Sequence, residues 1–264
     1  MLNSHPRRMD GHVARHQARI AGALYLIIII IGVCCETLIR NRLVVYGDAA
    51  ATAHNILGNE NLWRIGIGAQ AFLLMCAIAL THYWYQLLRP VSEKLAQSAV
   101  LFGIVSLAIE GVSVLHLQAT LVPLSMAEFA TATDRHVLYD MAYLSVIAHT
   151  HTFALALIVF GGECLIGGYL IYRSGYLPRA IGVLMQLAGA SYIVTYFSMM
   201  LYPPLASTLL PASLLPPFIG ESSFCLWLLF KGVNVDAWNR RAFIATELPH
   251  PASPAGFVQP VQVS

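Results

Sequence analysis

Six stretches of the sequence are apolar enough and long enough to cross a lipid bilayer. A transmembrane helix needs about 20 mostly apolar residues to cross a hydrocarbon core about 30 Å thick. The stretches are residues 19–38, 62–88, 95–122, 143–172, 180–201 and 212–231. Backbone groups inside lipid must be hydrogen-bonded within their own segment, so uninterrupted apolar runs of this length indicate helices. We therefore predict an all-α polytopic membrane protein, built as a six-helix transmembrane bundle.

Composition agrees with a membrane protein and excludes several other classes. Hydrophobic residues make up 58% of the chain and charged residues 11%, against about 25% charged residues in a soluble domain. The net charge is +2, and no basic block stands outside the termini, so no nucleic-acid partner is expected. Phosphate-loop, nucleophile-elbow and dinucleotide-binding motifs are absent from the sequence, which argues against an ATPase, a lipase-type hydrolase and a nicotinamide enzyme.

The distribution of Lys and Arg predicts the orientation of the bundle. Eleven of the 15 basic residues lie in the two tails or in the loops after the second and fourth segments. The other four are Arg40, Arg42, Arg64 and Arg135. Basic residues concentrate on the cytoplasmic side of membrane proteins. Both termini are therefore predicted to be cytoplasmic, with loops 41–61, 123–142 and 202–211 outside the inner membrane of a bacterial-type cell.

Three regions follow from this pattern. Residues 1–18 are predicted to be a basic cytoplasmic tail, residues 19–233 the transmembrane domain, and residues 234–264 a disordered cytoplasmic tail rich in Pro, Ala and Val. The first segment is not interpreted as a cleaved signal peptide, because its apolar core is too long for one.

Several strings resemble one membrane family when they are taken together and in order. They are RIAGALYL from Arg19, GDAAATAHNI from Gly47, LLRPV from Leu87, GYLIYRSGYLPRAIGVLM from Gly168, and LPPFIGE from Leu215 running into WLLFKGV. In this order the chain resembles the bacterial membrane family catalogued as domain of unknown function 4386, from about Arg19 to Val233. The resemblance implies a fold and supplies no activity.

Ionisable residues inside the predicted helices are the candidates for function. Each costs about 2.5–3.5 kcal/mol at the bilayer centre, so such residues face the bundle interior and need partners. A rise of about 1.5 Å per residue places one set at mid-membrane or closer to the outside: Glu36, Arg64, Glu110, His149 and Glu221. We predict that this set forms an outward-opening pocket, with Glu163 and His82 away from it on the cytoplasmic side.

Helical spacing refines this set. One stripe on the third segment carries Ser106, Glu110, Ser113, His116 and Thr120. On the fourth segment, His149 and His151 point about 200° apart, so only one of them faces the pocket. We favour His149, because a seam of small residues runs along its side of the helix. Glu36 has two candidate partners, Arg64 and Arg40.

The leading functional hypothesis is a small carrier or ligand-binding protein with a protonatable Glu/His pocket. Burial moves the pKa values of such groups toward ambient pH, which suits proton coupling. Glu110, Glu221 and His149 would titrate, and Arg64 would hold either an anionic substrate or Glu36. The expected partners are the lipid bilayer and an unidentified small molecule, with no resident cofactor and no prediction for protein partners.

Two other classes remain open on the sequence alone. A metal-dependent intramembrane enzyme would use His116, His149 and Glu221 as ligands and Glu110 as general base. A haem protein would use His116 and His149 as axial ligands. A non-catalytic component that binds lipid or a partner protein would instead use the buried acids for structure.

Overall fold

The computed structural model describes residues 11–247, and all regular secondary structure within that range is helical. The first helix, α1 (Gly11–Cys34), continues through a π-helical turn (Cys35–Arg40) into a short helix, α2 (Asn41–Leu43). The others are α3 (Ala49–Gly58), α4 (Glu60–Leu88), α5 (Glu93–Ala119), α6 (Leu121–Ala127), α7 (Ala132–Ser174), α8 (Arg179–Leu201), α9 (Pro203–Ser213), α10 (Leu215–Phe230) and α11 (Val235–Glu247).

Five of the helical stretches are long and apolar enough to cross a membrane. They are Arg15–Leu43, Glu60–Leu88, Glu93–Ala127, Ala132–Ser174 and Arg179–Leu201. A sixth candidate is the pair α9 and α10, which is bent by 51° at the break between them. The predicted all-α, multi-pass architecture is confirmed, and the first five predicted segments each fall on one long helix.

The exterior of the bundle is apolar, as lipid requires. Large hydrophobic side chains on α4 and α5 are more than half exposed, among them Ile65, Met75, Leu101 and Leu115. On a soluble protein, an apolar surface repeated along several helices would drive association. In a bilayer the same side chains contact acyl chains.

Six helices, namely the five candidate spans and α10, close into a ring. α1 contacts α4, α4 contacts α5, α5 contacts α7, α7 contacts α8, α8 contacts α10, and α10 returns to α1. A ring of helices leaves space along its axis unless large side chains fill it. In this protein that space contains a cavity lined by side chains from all six helices of the ring.

Glycines bring α7 and α8 into backbone contact. A β-carbon on Gly161 would lie 2.8 Å from the carbonyl oxygen of Gly189, and one on Gly168 would lie 2.7 Å from that of Gly182. Close approach through small residues is a main source of helix association in membranes. Gly161 and Gly168 therefore allow α7 and α8 to approach each other closely.

Local signals explain where several helices begin and end. The side chains of Asp48, Ser92 and Thr131 accept hydrogen bonds from the first turns of α3, α5 and α7, as helix N-caps do. α7 ends at Gly175, whose φ of +76° is the left-handed conformation that glycine adopts freely.

The connections on one side are more ordered than predicted. α7 has 43 residues, or about 64 Å of helix, which exceeds the thickness of a bilayer core. α3 and α6 pack against it. Predicted loops 41–61 and 123–142 thus contain helical residues, because each carries apolar residues that pack against α7.

The prediction of a disordered carboxyl-terminal tail is wrong for part of that tail. Residues 235–247 form α11, and Trp238 is buried in the same apolar core as Tyr25 and Trp84. The buried side chain of Trp238 attaches α11 to the bundle, although half of the other residues of α11 are polar or charged. α1 begins at Gly11, inside the predicted tail 1–18, while residues 1–10 and 248–264 lie outside the described residues.

Candidate functional site

A cavity of about 310 Å³ lies inside the ring, and residues from all six helices of the ring line it. Its polar side chains are Tyr25 from α1, Thr81 and Trp84 from α4, Ser106 and Glu110 from α5, Glu163 and Cys164 from α7, Tyr192 from α8, and Glu221 and Ser222 from α10. Most of the remaining lining is aliphatic or aromatic. The volume is at the lower end of the range of about 300–1,000 Å³ seen for small-molecule pockets.

Glu163 is held in this cavity by a notch in α5. A β-carbon on Gly103 would lie 2.5 Å from Glu163 Oε2, so the carboxyl group occupies the space that this glycine leaves beside α5. The residue is 9% exposed. Within residues 11–247, no donor hydrogen-bonds its carboxyl group. Glu163 is therefore a buried acid that faces open space rather than a protein partner.

Glu221 differs from Glu163 in having a donor. The hydroxyl of Tyr192 donates a hydrogen bond of 2.6 Å to Glu221 Oε1, and Tyr25 lies close enough to interact with the same carboxyl group. Tyr192 is itself positioned by stacking on Tyr196, with ring centroids 6.2 Å apart. Two tyrosines from different helices thus orient this acid.

Glu110 reaches the cavity from the polar stripe of α5. Ser106 of that stripe donates to the carbonyl oxygen of Ala156 at 2.8 Å, which ties α5 to α7. Ser113 donates to the backbone carbonyl of Glu110 at 2.7 Å. These bonds keep the hydroxyls occupied and leave the Glu110 carboxyl group directed at the cavity lining.

A second polar cluster, the Arg40 cluster, consists of Arg40, Glu36 and His149. Arg40 Nε donates to Glu36 Oε2 at 2.7 Å, and Nη2 contacts the same oxygen. Arg40 Nη1 lies 3.2 Å from His149 Nε2. Glu36 and Arg40 both belong to the π-helical turn Cys35–Arg40. Such turns are frequent at functional sites.

Hydrogen-bond roles determine the tautomer of His149. Its Nδ1 lies 3.0 Å from the carbonyl oxygen of Ser113, which can only accept. Arginine can only donate, so Nε2 must accept from Arg40. His149 is therefore a neutral imidazole with the proton on Nδ1. Its ring stacks on Phe153 with centroids 5.9 Å apart, and Phe153 lines the cavity.

The predicted single pocket is thus divided between two places. Glu110 and Glu221 line the cavity, as does Glu163, which we had placed away from the pocket. That expectation was wrong because it judged the position of Glu163 only from its depth along α7. The position of the carboxyl group also depends on α5, where Gly103 leaves space for it. Glu36 and His149 belong instead to the Arg40 cluster.

Arg64 takes no part in either site. It donates to Glu60 Oε1 at 2.7 Å, and both side chains are about half exposed. The prediction that Arg64 holds an inward anion or Glu36 is wrong, because an acid one turn earlier on the same helix offers a nearer partner. Of the two partners considered for Glu36, the structure selects Arg40.

The helical faces correctly predicted which of the two histidines on α7 is buried. The histidines of the described residues form no metal site. His149 is buried and His151 is exposed, which confirms the choice between them. His116 is half-buried, and both nitrogens of His149 are occupied. Residues 11–247 contain no group of three or more His, Cys, Asp or Glu side chains that could hold a metal ion. His116, His149 and Glu221 are therefore not assembled as ligands.

Sequence reasoning missed several residues of the site. Tyr192 and Trp84 are aromatic residues within apolar helices, and nothing in the sequence alone distinguishes them from aromatics that only pack. Arg40 did carry a signal, because it follows Glu36 at helical spacing.

Comparisons with known proteins identify a family and add no activity. The sequence profile of the family described as "Domain of unknown function (DUF4386)" matches residues 20–232. An uncharacterized protein of Archaeoglobus fulgidus is 30% identical over 150 residues, which cover 56% of this chain and 72% of the relative. No solved structure matches the chain significantly.

Proposed function

The chain belongs to the family described as Domain of unknown function (DUF4386), and from its own geometry we propose that it is a small-molecule carrier or ligand-binding protein of the membrane. The proposed binding site is the cavity inside the ring. One observation carries the proposal: the carboxyl group of Glu163 is buried, faces about 310 Å³ of space, and has no donor among the described residues. A buried acid without a protein partner is costly unless a proton or a ligand satisfies it.

Proton coupling follows from the same arrangement. A carboxyl group that is neutral when the cavity is empty loses its proton when a ligand supplies a positive charge or donors in its place. Glu110, Glu163 and Glu221 are the groups that would exchange the proton, with Tyr25 and Tyr192 as hydrogen-bond donors beside Glu221. A protein of this kind can couple ligand movement to a proton gradient.

The proposed topology has six spans, with α9 and α10 forming one bent span, and both termini in the cytoplasm. Its support is the predominance of Lys and Arg at one end of the bundle. We propose the cytoplasmic (inner) membrane as the location. In intact cells, a membrane-impermeant maleimide should then label Phe129→Cys, at an exposed position between α6 and α7, and spare Arg89→Cys after α4. The opposite labelling pattern would reverse the proposed orientation.

The proposed function requires that a small molecule can enter the cavity, and this can be tested. Leu107 lines the cavity on α5, a helix without native cysteine. In the purified protein, Leu107→Cys should react with methyl methanethiosulfonate, a small neutral reagent, as measured by mass spectrometry of the α5 peptide. Adding Gly32→Leu should slow this reaction, because Gly32 also lines the cavity and has room for a β-carbon, with Leu73 Cδ1 at 3.8 Å.

A thiol at position 107 that stays unmodified under native conditions, and reacts only after unfolding, would show that the cavity is sealed. The carrier and ligand-binding proposals would then both fail, and the acids would be structural. Reaction at a rate that Gly32→Leu does not change would place the reagent's route outside the cavity, with the same consequence.

A further inference from the structure

Charge is distributed one-sidedly around the cavity. Three carboxyl groups line it, those of Glu110, Glu163 and Glu221, and none of the described lining residues is Lys, Arg or His. Arg40 acts electrostatically on Glu110, but it is already bonded to Glu36 and does not line the cavity. An anionic guest would find no basic side chain in the lining to compensate its charge, which disfavours binding.

Aromatic rings form much of the remaining wall. The lining includes Tyr25, Trp84, Phe153, Phe160, Tyr192 and Phe218, which come from five of the six helices of the ring. The face of an aromatic ring attracts a cation placed within about 6 Å of its centroid, and the attraction is stronger away from water. Acids together with aromatic rings in one apolar cavity are the chemistry that recognises an organic ammonium group.

The hydrogen-bond inventory leads to the same class of ligand. The carboxyl group of Glu163 accepts no hydrogen bond from the described part of the chain. A ligand with a positive charge or with N–H groups would supply the missing partner. Glu221 already has the Tyr192 hydroxyl. Glu110 also has no donor to its carboxyl group among the described residues, but Glu163 is the more deeply buried of the two. Glu163 is therefore the acid that we assign to a ligand's cationic centre.

An inorganic cation fits the site less well than an organic one. Calcium takes about six to eight oxygen ligands, and magnesium demands near-octahedral oxygen coordination. The described part of the chain offers no group of three or more side chains arranged for a metal ion. Leu73, Leu80 and Leu157 line the cavity as well, and these aliphatic side chains would contact the substituents of an organic cation.

We propose that the cavity binds a small organic cation, an ammonium group with apolar or aromatic substituents. Its charge lies at Glu163 and its substituents contact the aromatic walls. This inference rests on the proposed function, since it names the class of ligand for the same cavity.

Three molecules of nearly equal size and different charge test the proposal. They are phenyltrimethylammonium (cationic), tert-butylbenzene (neutral) and benzenesulfonate (anionic), which have the same number of non-hydrogen atoms. Binding to the full-length protein in nanodiscs is measured by calorimetry. We expect phenyltrimethylammonium to bind about tenfold or more tightly than either of the others.

Variants locate the bound cation. Glu163→Gln, which keeps the shape of the side chain, should weaken phenyltrimethylammonium binding about tenfold and leave tert-butylbenzene unchanged. Phe160→Leu should weaken the cation about threefold or more through the lost aromatic face. Glu60→Gln is the matched control: this exposed acid on α4 lies outside the cavity, so its removal should change nothing.

Three results would overturn the inference while leaving the proposed function in place. One is tighter binding of benzenesulfonate or tert-butylbenzene than of the cation. Another is cation binding that neither Glu163→Gln nor Phe160→Leu reduces. The last is no binding of any of the three molecules to a protein whose Leu107→Cys thiol reacts through the cavity. An unreactive thiol at position 107 would instead remove the proposed function and this inference together.

Discussion

The imidazole of His149 on α7 accepts a hydrogen bond of 3.2 Å from the guanidinium group of Arg40 at the end of the π-helical turn. The same ring donates from Nδ1 to the carbonyl oxygen of Ser113 on α5, at 3.0 Å. One buried side chain therefore connects three elements of the ring at its predicted outer end. The connection depends on a neutral imidazole, because a protonated ring would have no acceptor for Arg40.

Replacing His149 by Ala should destabilise the protein by about 2–4 kcal/mol, since it removes the hydrogen-bond partner of Arg40 Nη1 and of the Ser113 carbonyl group and opens a cavity. Unfolding by sodium dodecyl sulfate in mixed micelles measures the change. His151→Ala, at an exposed position two residues later, should stay within about 0.5 kcal/mol of the native protein. Equal effects of the two substitutions would show that the Arg40 cluster does not stabilise the fold.

The close contact between Gly103 and the Glu163 carboxyl group can be tested by substitution. Gly103→Ala should lower the free energy of unfolding by about 0.5–1.5 kcal/mol, because its β-carbon would displace the end of the Glu163 side chain from its position. Gly111→Ala on the same helix should be neutral or stabilise by about 0.5–1 kcal/mol, since only Leu74 Cδ1 lies near, at 4.0 Å. The double variant Gly103→Ala, Glu163→Ala should recover part of the loss. Independent effects of the two substitutions would refute the contact.

Tyr192 and Tyr196 offer a matched pair on α8. Tyr192→Phe removes the donor to Glu221 and should cost about 1–3 kcal/mol of stability. Tyr196→Phe keeps the ring stacked on Tyr192 and removes a hydroxyl that does not bond Glu221, so the expected loss is about 0.5 kcal/mol or less. Thermal unfolding in detergent compares the two variants, and a larger loss for Tyr196→Phe would contradict this assignment.

Tyr176 lies between α7 and α8, outside the spanning segments, and donates to the carbonyl oxygen of Leu87 at 2.6 Å. Burial raises the pKa of its phenol above the ordinary value, and nearby Arg241 offsets part of that rise. The phenol is therefore neutral in the folded protein at a pH where the unfolded chain begins to ionise. Its contribution to stability is complete below the unfolded pKa of about 10 and is lost as pH rises above that value.

Tyr176→Phe should accordingly be less stable than the native protein by about 1 kcal/mol near pH 7. The difference should shrink above about pH 10, where the native protein loses the contribution that the variant lacks. Denaturation series at the two pH values measure it. A difference that grows with pH would show that the phenol ionises more easily in the folded protein.

The sequence predicted the elements of this protein better than their partners. Length and apolar composition were sufficient for the spanning helices, since lipid imposes a local requirement on each segment. The inward choice of His149 over His151 also followed from one helix, because a helical face is a local property. The notch that admits Glu163 could not be found this way, because it depends on how α5 and α7 approach each other.

The prediction of ion pairs was less accurate for a related reason. Arg64 was matched with Glu36 because both lie near the outer ends of adjacent segments, yet Arg64 binds Glu60 one turn away. Local pairs at helical spacing form at low entropic cost, and they should have been considered before long-range ones. The burial of Trp238 in α11 was also missed, since nothing in the flanking sequence indicates a docking site.

The backbone contact between α7 and α8 is open to a final test. On α8, a β-carbon at Gly189 would lie 2.5 Å from the carbonyl oxygen of Gly161. Backbone cannot move aside as a flexible side chain can, so Gly189→Ala should force the helices apart and cost about 1–3 kcal/mol.

Gly68 on α4 is the matched control, because a β-carbon there meets nothing within 4 Å. Gly68→Ala should be neutral or stabilise by about 0.5–1 kcal/mol, through the lower conformational freedom of the unfolded chain. Unfolding in mixed micelles compares the two variants at one detergent composition. Similar stability of both would mean that α7 and α8 are not in backbone contact, and the ring that encloses the cavity would then be looser than described.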